Sequence, residues 1–358
     1  MGIKIQYMPF PDVQRQAQAW QDQVLGIVCF NESNPDDLNA IPKIHLNTPV
    51  LAGENIACEI WLSDISSENT SSSYVVSANK GSIQYRFDGE LLFGVISLDE
   101  LTFSQEQTQP TENKIPPLQQ ATESAYRQIF ALIDELGYSN VYRFWNYMAD
   151  INDSSHDLER YRQFNVGRKH VLMQSGCDAG SELPAACALG LAKGPLSIAF
   201  LAGKKAAVAI ENPRQIKAYD YPEQYGPLTP SFSRAALLHS GNQATLFISG
   251  TASIVGHQTQ HASDVAAQTR ETLLNLEAVI EEGNRILKQP RFNLHDSALR
   301  VYIRQPKDLD VVRAELQHYL KSEINAVFIQ ADICRHDLLV EIEATIQCET
   351  DFDITEIV

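Results

Sequence analysis

The sequence predicts an α+β chain of two related halves, each a mixed sheet with helices packed on one face. Three observations carry this. A helix–strand–helix order occurs twice: helix 117–136, strand 140–150 and helix 154–164, then helix 264–282, strand 298–304 and helix 309–321. Asp150, Ile151 and Asn152 in the first unit match Asp308, Leu309 and Asp310 in the second. Short segments of period two surround these units, as where Leu338, Val340 and Ile342 alternate with Leu339, Glu341 and Glu343. The halves are expected at 1–165 and 166–358, with 166–235 forming part of the site of the second.

From the N-terminus, Val24–Cys29 is a short apolar run of strand type, and 31–42 reads as loop. Residues 56–63, 74–79, 82–87 and 91–98 read as successive strands, turned at Asn79-Lys80-Gly81 and Asp88-Gly89. Residues 101–116 are polar with prolines, hence a surface loop. Helix 117–136 carries Tyr126, Ile129, Phe130, Ile133 and Leu136 on one stripe and stops at Gly137. Strand 140–150 places Val141, Arg143, Trp145 and Tyr147 on one face. Asp153 and Ser154 offer caps for the helix at 154–164, which leaves Arg168 in the turn that follows.

Residues 164–203 are rich in small side chains, and their glycines fall in neither a GxGxxG nor a GxxxxGK[ST] spacing. Neither a dinucleotide fingerprint nor a phosphate loop is supported. Residues 211–235 gather tyrosines, prolines and two arginines in a segment too irregular for a helix or central strand. Such a loop suits recognition of a small polar anion. An ordinary surface loop whose tyrosines cover apolar area fits equally well.

The chain has 358 residues and a formal charge of −17, with no basic run or stripe. That argues against nucleic acid or an anionic membrane as partner. No apolar run approaches the roughly 18–20 residues that span a bilayer, and the N-terminus lacks the pattern of a signal peptide. The six cysteines include no CxxC pair and the nine histidines no HExxH. Reduced thiols, a cytoplasmic location and no metal site are expected.

Taken alone, 332–344 (DICRHDLLVEIEA) is a loop and a surface strand whose acidic face is solvated. Its context changes that reading. An ISG strand, a helix opening D-x-A-A-Q-T-R (264–270), a strand, a second helix and a closing VEIEA (340–344) resemble the RidA/YjgF family over about a hundred residues. The resemblance implies a pseudo-trimeric arrangement. The arginine that binds carboxylate in the imine hydrolases of that family is replaced by Ala326, so imine hydrolysis is not expected.

Three longer motifs narrow this: RFWNYMADIN (143–152), ENPRQIKAYDYPEQYGPLTPSFSRA (211–235) and C-R-x-D-L-L-V-E-I-E-A (334–344), with SGTASIVGH (249–257) before the last. Together they resemble the chorismatases, which cleave chorismate to pyruvate and a dihydroxycyclohexadienoate or hydroxybenzoate. The resemblance implies no cofactor, Glu341 as the catalytic glutamate, and Cys334 as the cysteine of the 3-hydroxybenzoate-forming branch. Cleaving a vinyl ether requires a proton on its terminal carbon, and a carboxylic acid kept protonated near neutral pH supplies it. Burial, with Glu343 on the same strand face, would raise Glu341 in that direction. A thiol such as Cys334 can transfer a ring proton; a small core residue is the commoner fate of cysteine. For the dianionic substrate the candidate ligands are Arg143, Tyr147, Arg168, Tyr219, Tyr225 and Arg304. A monomer or loose oligomer is expected. The alternatives are chorismate hydrolysis to the dihydroxydiene acid, 4-hydroxybenzoate formation, and a RidA-like small-ligand binder without turnover.

Overall fold

The computed structural model describes residues 2–16, 18–30, 41–52, 58–63, 76–105, 115–176, 183–321 and 324–350. The remaining parts of the predicted loops at 31–42 and 101–116, and Cys177, lie outside them. The described residues form three mixed sheets. The N-terminal sheet has the order Ile3–Met8, Cys58–Ser63, Val24–Phe30, Lys43–Leu46. The middle sheet runs Asp332–Ile333, Ala185–Leu191, Asn140–Ala149, Leu196–Gly203, Leu91–Leu98, Ile83–Phe87, Val76–Lys80. The C-terminal sheet runs Ala207–Ile210, Ala235–Ser240, Gln243–Ala252, Val340–Glu349, Ala298–Ile303, Ala326–Gln330, Val50–Ala52.

Each sheet contains one parallel pair: Val24–Phe30 with Lys43–Leu46, Asn140–Ala149 with Ala185–Leu191, and Ala298–Ile303 with Ala326–Gln330. In the last two the crossover carries a helix, Arg160–Gln174 and Leu309–Leu320, which is the repeat seen in the sequence. The N-terminal sheet is a third, smaller unit that the sequence left undefined. The expected boundary at 165/166 falls inside the middle unit, because 185–203 pairs with 140–149; the change of sheet comes between Gly203 and Ala207.

The inner faces of all three sheets meet in one core, with Phe30 and Trp61 from the first, Phe93, Trp145 and Tyr147 from the second, and Phe247 and Tyr302 from the third. Helices cover the outer faces. Helix Pro117–Leu136 lays Ala125, Ile129 and Ile133 on Phe144 and Phe200. Helix Val265–Leu287 lays Leu273, Leu276 and Ile280 on Leu246 and Ile342. It is capped by Asp264, whose side chain accepts from the Ala267 amide at 2.9 Å.

Three local expectations are corrected. Residues 154–159 form a two-strand ribbon turned at His156 and Asp157, both at positive φ, and the helix starts at Arg160. Arg168 is therefore inside a helix. Its neighbour Gly167 lets this helix approach the 117–136 helix, since a Cβ there would lie 2.6 Å from the Gln119 carbonyl. The start of the predicted loop at 101 belongs to a short helix, Glu100–Gln105. Finally, a bulge opposite Leu201/Ala202 puts Val141 on the outer face, away from Arg143, Trp145 and Tyr147.

Candidate active site

A cavity of about 650 Å³ opens between the middle and C-terminal sheets, within the range of small-molecule sites. Its floor is Glu341, Gly250, Ala252 and Ile254. One wall is the start of helix Arg160–Gln174, with Tyr161 and Arg162. Another is the irregular 211–235 segment, with Tyr221, Tyr225, Phe232 and Arg234. The loop Cys334–Asp337 closes the rim. The irregular segment is held by side-chain ties in place of secondary structure. Gln215 donates to the Ile254 carbonyl at 3.0 Å, and Arg214 donates to Asn275 at 2.6 Å and Glu271 at 2.5 Å.

A bulge shapes the floor. Ile248 pairs with Ala344 and Thr251 with Ile342, so Ser249 and Gly250 together oppose Glu343. The Ser249 hydroxyl fixes it, donating to the Ser233 carbonyl at 2.6 Å and accepting from the Ala186 amide at 2.9 Å. A Cβ on Gly250 would overlap Oε1 of Glu341 and lie 3.1 Å from Cβ of Cys187. Glycine at this bulge is what gives the carboxyl its space.

Glu341 and Glu343 are each 4% exposed, so the acidic face of this strand is not in water. Their surroundings differ. Glu343 accepts from Arg143 Nη2, from Tyr302 OH at 3.0 Å, and lies 3.1 Å from Arg300 Nη1. Burial opposes its charge, yet Arg143, Arg300 and the Tyr302 and Cys187 hydrogen bonds win, and Glu343 sits below the usual carboxylate range. For Glu341, burial and then the Glu343 charge outweigh the pull of Arg143 and push it up to about 8. Two carboxyls on one strand face thus hold opposite protonation states at neutral pH.

The family model for the N-terminal part of FkbO/Hyg5-like chorismatases matches residues 68–202. A 3-hydroxybenzoate synthase of Streptomyces hygroscopicus is 34% identical over 337 residues, covering 90% of this chain and 91% of that protein. The chain belongs to the chorismatase family. A chorismatase of Streptomyces rapamycinicus is 40% identical over 232 residues, 63% of this chain and 69% of that one. A chorismatase crystal structure superposes with a TM-score of 0.79 at 31% identity, covering 96% of this chain and 98% of that one.

In this chorismatase-family chain the cavity brings together Glu341, Cys334 and Tyr225. It does not bring in the other candidates. Arg304 is consumed as a tie for the 332–338 loop: it donates to the carbonyls of Leu338, Ile333 and Arg335 at 2.8–3.0 Å, to Asn152 at 3.0 Å and to Asp332 at 2.5 Å. Arg143 and Tyr147 lie in the interior, beneath the floor. Tyr219 faces Lys217 outside the cavity. Arg168 is buried behind the wall, with its guanidinium over Phe164 and Phe232 and its Nε without a hydrogen-bond partner among the described residues.

The cations that do line the cavity are Arg162, Arg234 and Arg335. Arg335 stacks on Tyr225 at 4.2 Å and donates to the His257 carbonyl at 2.9 Å. Arg234 donates to Tyr221 OH and the Ile216 carbonyl, both at 2.9 Å, while its buried Nε has no partner among the described residues. Tyr225 is itself fixed by His257, donating to its carbonyl at 2.6 Å with the ring Nδ1 3.0 Å away. The signal for Arg234 and Arg335 was present, since both belong to the family motifs. An irregular loop has no period from which to tell Tyr221, which lines the cavity, from Tyr219, which does not. No helix among the described residues is long and apolar enough to cross a membrane, and no cluster of metal-ligand side chains occurs among them.

Proposed function

We propose that this chain cleaves the enolpyruvyl ether of chorismate to pyruvate and 3-hydroxybenzoate, with Glu341 as general acid. The observation that carries the reading is a buried Glu341 carboxyl at the floor of a cavity whose walls hold three arginines, where burial and the neighbouring Glu343 charge favour its acid form. The two substrate carboxylates pair with cations among Arg162, Arg234 and Arg335, and the free Nε of Arg234 awaits an acceptor. Tyr225 and Tyr221 present their faces to Arg335 and hold it in place.

Glu341 gives its proton to the terminal methylene carbon of the enol ether, and the ether becomes an oxocarbenium ion. The Glu341 carboxylate left behind stabilises that cation. The ring hydroxyl oxygen then displaces the side chain as pyruvate and gives up its proton, leaving an epoxide across the two ring carbons. Its original C–O bond opens, the carbon that carried the side chain loses its proton, and the two released protons restore the Glu341 acid and protonate the oxygen of 3-hydroxybenzoate. No water is consumed overall, whereas the hydrolytic route takes up one. The ring proton passes through Cys334, whose thiol is pushed up to about 12 by burial and then by the Glu341 charge, and so remains S–H at neutral pH. Incubation of the purified protein with chorismate, followed by chromatography, tests this. Pyruvate with 3-hydroxybenzoate is expected. The dihydroxydiene acid or 4-hydroxybenzoate would move the chain to another product branch, and binding without turnover would make it a small-ligand binder.

A further inference from the structure

Beneath Glu341 lies a sealed set of charges drawn from all three sheets. Glu59, on strand Cys58–Ser63 of the N-terminal sheet, is 2% exposed and does not line the cavity. It holds Arg300 in a fork, accepting from Nε at 2.7 Å and from Nη2, and it also accepts from Trp61 Nε1 at 2.6 Å. The third guanidinium nitrogen of Arg300 is thereby aimed at Glu343 Oε1, 3.1 Å away, and at Tyr147 OH, 3.0 Å away. Arg143 closes the set on the other oxygen of Glu343. Arg143 and Arg300 are each 2% exposed, so solvent does not screen them.

We propose that Glu59 is a positioning residue that keeps Glu341 in its acid form: the two buried carboxylates Glu59 and Glu343 cancel the two buried guanidiniums Arg143 and Arg300, so that this set is neutral only while Glu341 retains its proton. Without Glu59 the set carries an excess positive charge, and losing the Glu341 proton becomes the way to restore neutrality. The inference rests on Glu341 as general acid and extends it to a residue of another sheet.

Arg162, Arg234, Arg335, Glu159, His336 and Asp337 line the cavity side of Glu341 and Arg168 lies behind its wall, all outside this set and unchanged in the variants below. The neutral groups facing Glu341 do not take over this role. Cys187 from strand Ala185–Leu191, Cys334 from the loop and Tyr161 from the helix are all pushed upward, chiefly by burial, and stay neutral where Glu341 titrates. Tyr7, Tyr147 and Tyr302, which line the charge set, are likewise raised and neutral.

The test is the pH dependence of kcat/KM for chorismate, whose own carboxyls titrate well below the range used. The wild-type rate falls with rising pH as Glu341 loses its proton. In Glu59→Gln this alkaline limb moves down by at least about one pH unit, a tenfold change in proton affinity. In Arg300→Gln it moves up. In the double variant, which removes one charge of each sign, it returns to the wild-type position, and Glu59→Asp keeps it there. A purely structural role for Glu59 lowers the rate at every pH and leaves the limb in place, so an unmoved limb in either folded single variant overturns the proposal. Should both singles fail to fold, the double variant decides, and a displaced limb there overturns it. Absence of any alkaline limb in the wild type, or normal turnover by Glu341→Gln, would instead remove the acid role of Glu341 itself.

Discussion

The interior charge set and the cavity lie on opposite sides of the Glu341 carboxyl, and they use arginine in opposite ways. In the interior Arg143 and Arg300 face carboxylates, and Tyr147, Tyr302 and Trp61 complete the hydrogen bonding. In the cavity Arg162 has Glu159 at 3.0 Å, whereas Arg234 and Arg335 rest on carbonyls and aromatic rings, with Glu211 acting on Arg234 through its charge alone. In the proposed mechanism the interior pairs fix which carboxyl keeps a proton, and the cavity cations serve a ligand that brings its own carboxylates. A chain of net charge −17 repels a dianion at long range, so local cations of this kind must do the attracting.

The largest expected effect separates the two regions at Glu341. Glu341→Gln removes the acid and keeps the shape. Pyruvate release should fall by about 10²–10⁴-fold, while binding of an unreactive chorismate analogue stays within about tenfold, or ~1.4 kcal/mol. Stopped assays for pyruvate and titration calorimetry measure the two. Near-normal turnover would detach the protonation contrast from catalysis.

The same variant has a stability signature of definite sign. The folded value of Glu341, about 8, lies above its ordinary 4.5. The folded chain therefore keeps a proton that the unfolded chain gives up between those values, and wild-type stability falls as pH rises through that window. Glu341→Gln escapes this loss. Its stability advantage over wild type, read by denaturant unfolding, should grow from about pH 5 to pH 8 and then level off, reaching on the order of a few kcal/mol. A constant difference across the window would mean that Glu341 is not held protonated.

Glu343→Gln strikes the interior side. It leaves Arg143 and Arg300 facing one carboxylate fewer, and breaking a buried pair costs about 3–5 kcal/mol. Denaturant unfolding should show that loss. Arg335→Met strikes the cavity side and should cost stability no more than about 1 kcal/mol, because Arg335 is half-buried and rests on aromatic rings and a carbonyl with no buried carboxylate left unpaired. Its effect belongs in KM, raised roughly tenfold or more, and it should shrink at high salt. The comparison breaks if the two variants exchange signatures.

Legibility in the sequence follows the same division. Helix 117–136 shows an apolar stripe and was readable from it, whereas helix 264–282 was read from the D-x-A-A-Q-T-R opening of the family resemblance. Helix Arg160–Gln174 buries Gln163, Asn165, Gly167 and Arg168 together with Phe164, Val171 and Leu172, so its hidden face is mixed and no clean apolar stripe announces it. Strands Ala185–Leu191 and Leu196–Gly203 are buried on both faces, which removes the alternation that marked other strands. Glu341, Cys334 and Tyr225 were found through the family motifs and their chemistry. Arg143, Tyr147 and Arg304 were chosen by face and residue type, and only tertiary pairing reveals that interior partners saturate them. The N-terminal sheet was hidden because the sequence between its parallel strands Val24–Phe30 and Lys43–Leu46 reads as loop and does not repeat the helix–strand–helix order of the other two units.

The smallest expected effect lies on the cavity rim, in product choice. The Cys334 thiol is neutral through the physiological range, so it is no resting base. It acts on the ring only by passing on its proton as it accepts another. Cys334→Ala removes that relay and leaves Glu341 untouched, so pyruvate should still be released. The share of 3-hydroxybenzoate should drop, and the dihydroxydiene acid or 4-hydroxybenzoate should rise, because water then competes for the same cation. A difference of about 1.4 kcal/mol between the two exits swings their ratio tenfold. Gly250→Ala provides the control from the other side of the carboxyl. Its methyl group collides with Glu341 Oε1 and must displace the acid, so it should slow pyruvate release as well as change the ratio. Chromatography of both reactions reads the outcome. An unchanged 3-hydroxybenzoate fraction in Cys334→Ala, at an unchanged rate, makes Cys334 a packing residue of the rim and leaves proton transfer on the ring to another group.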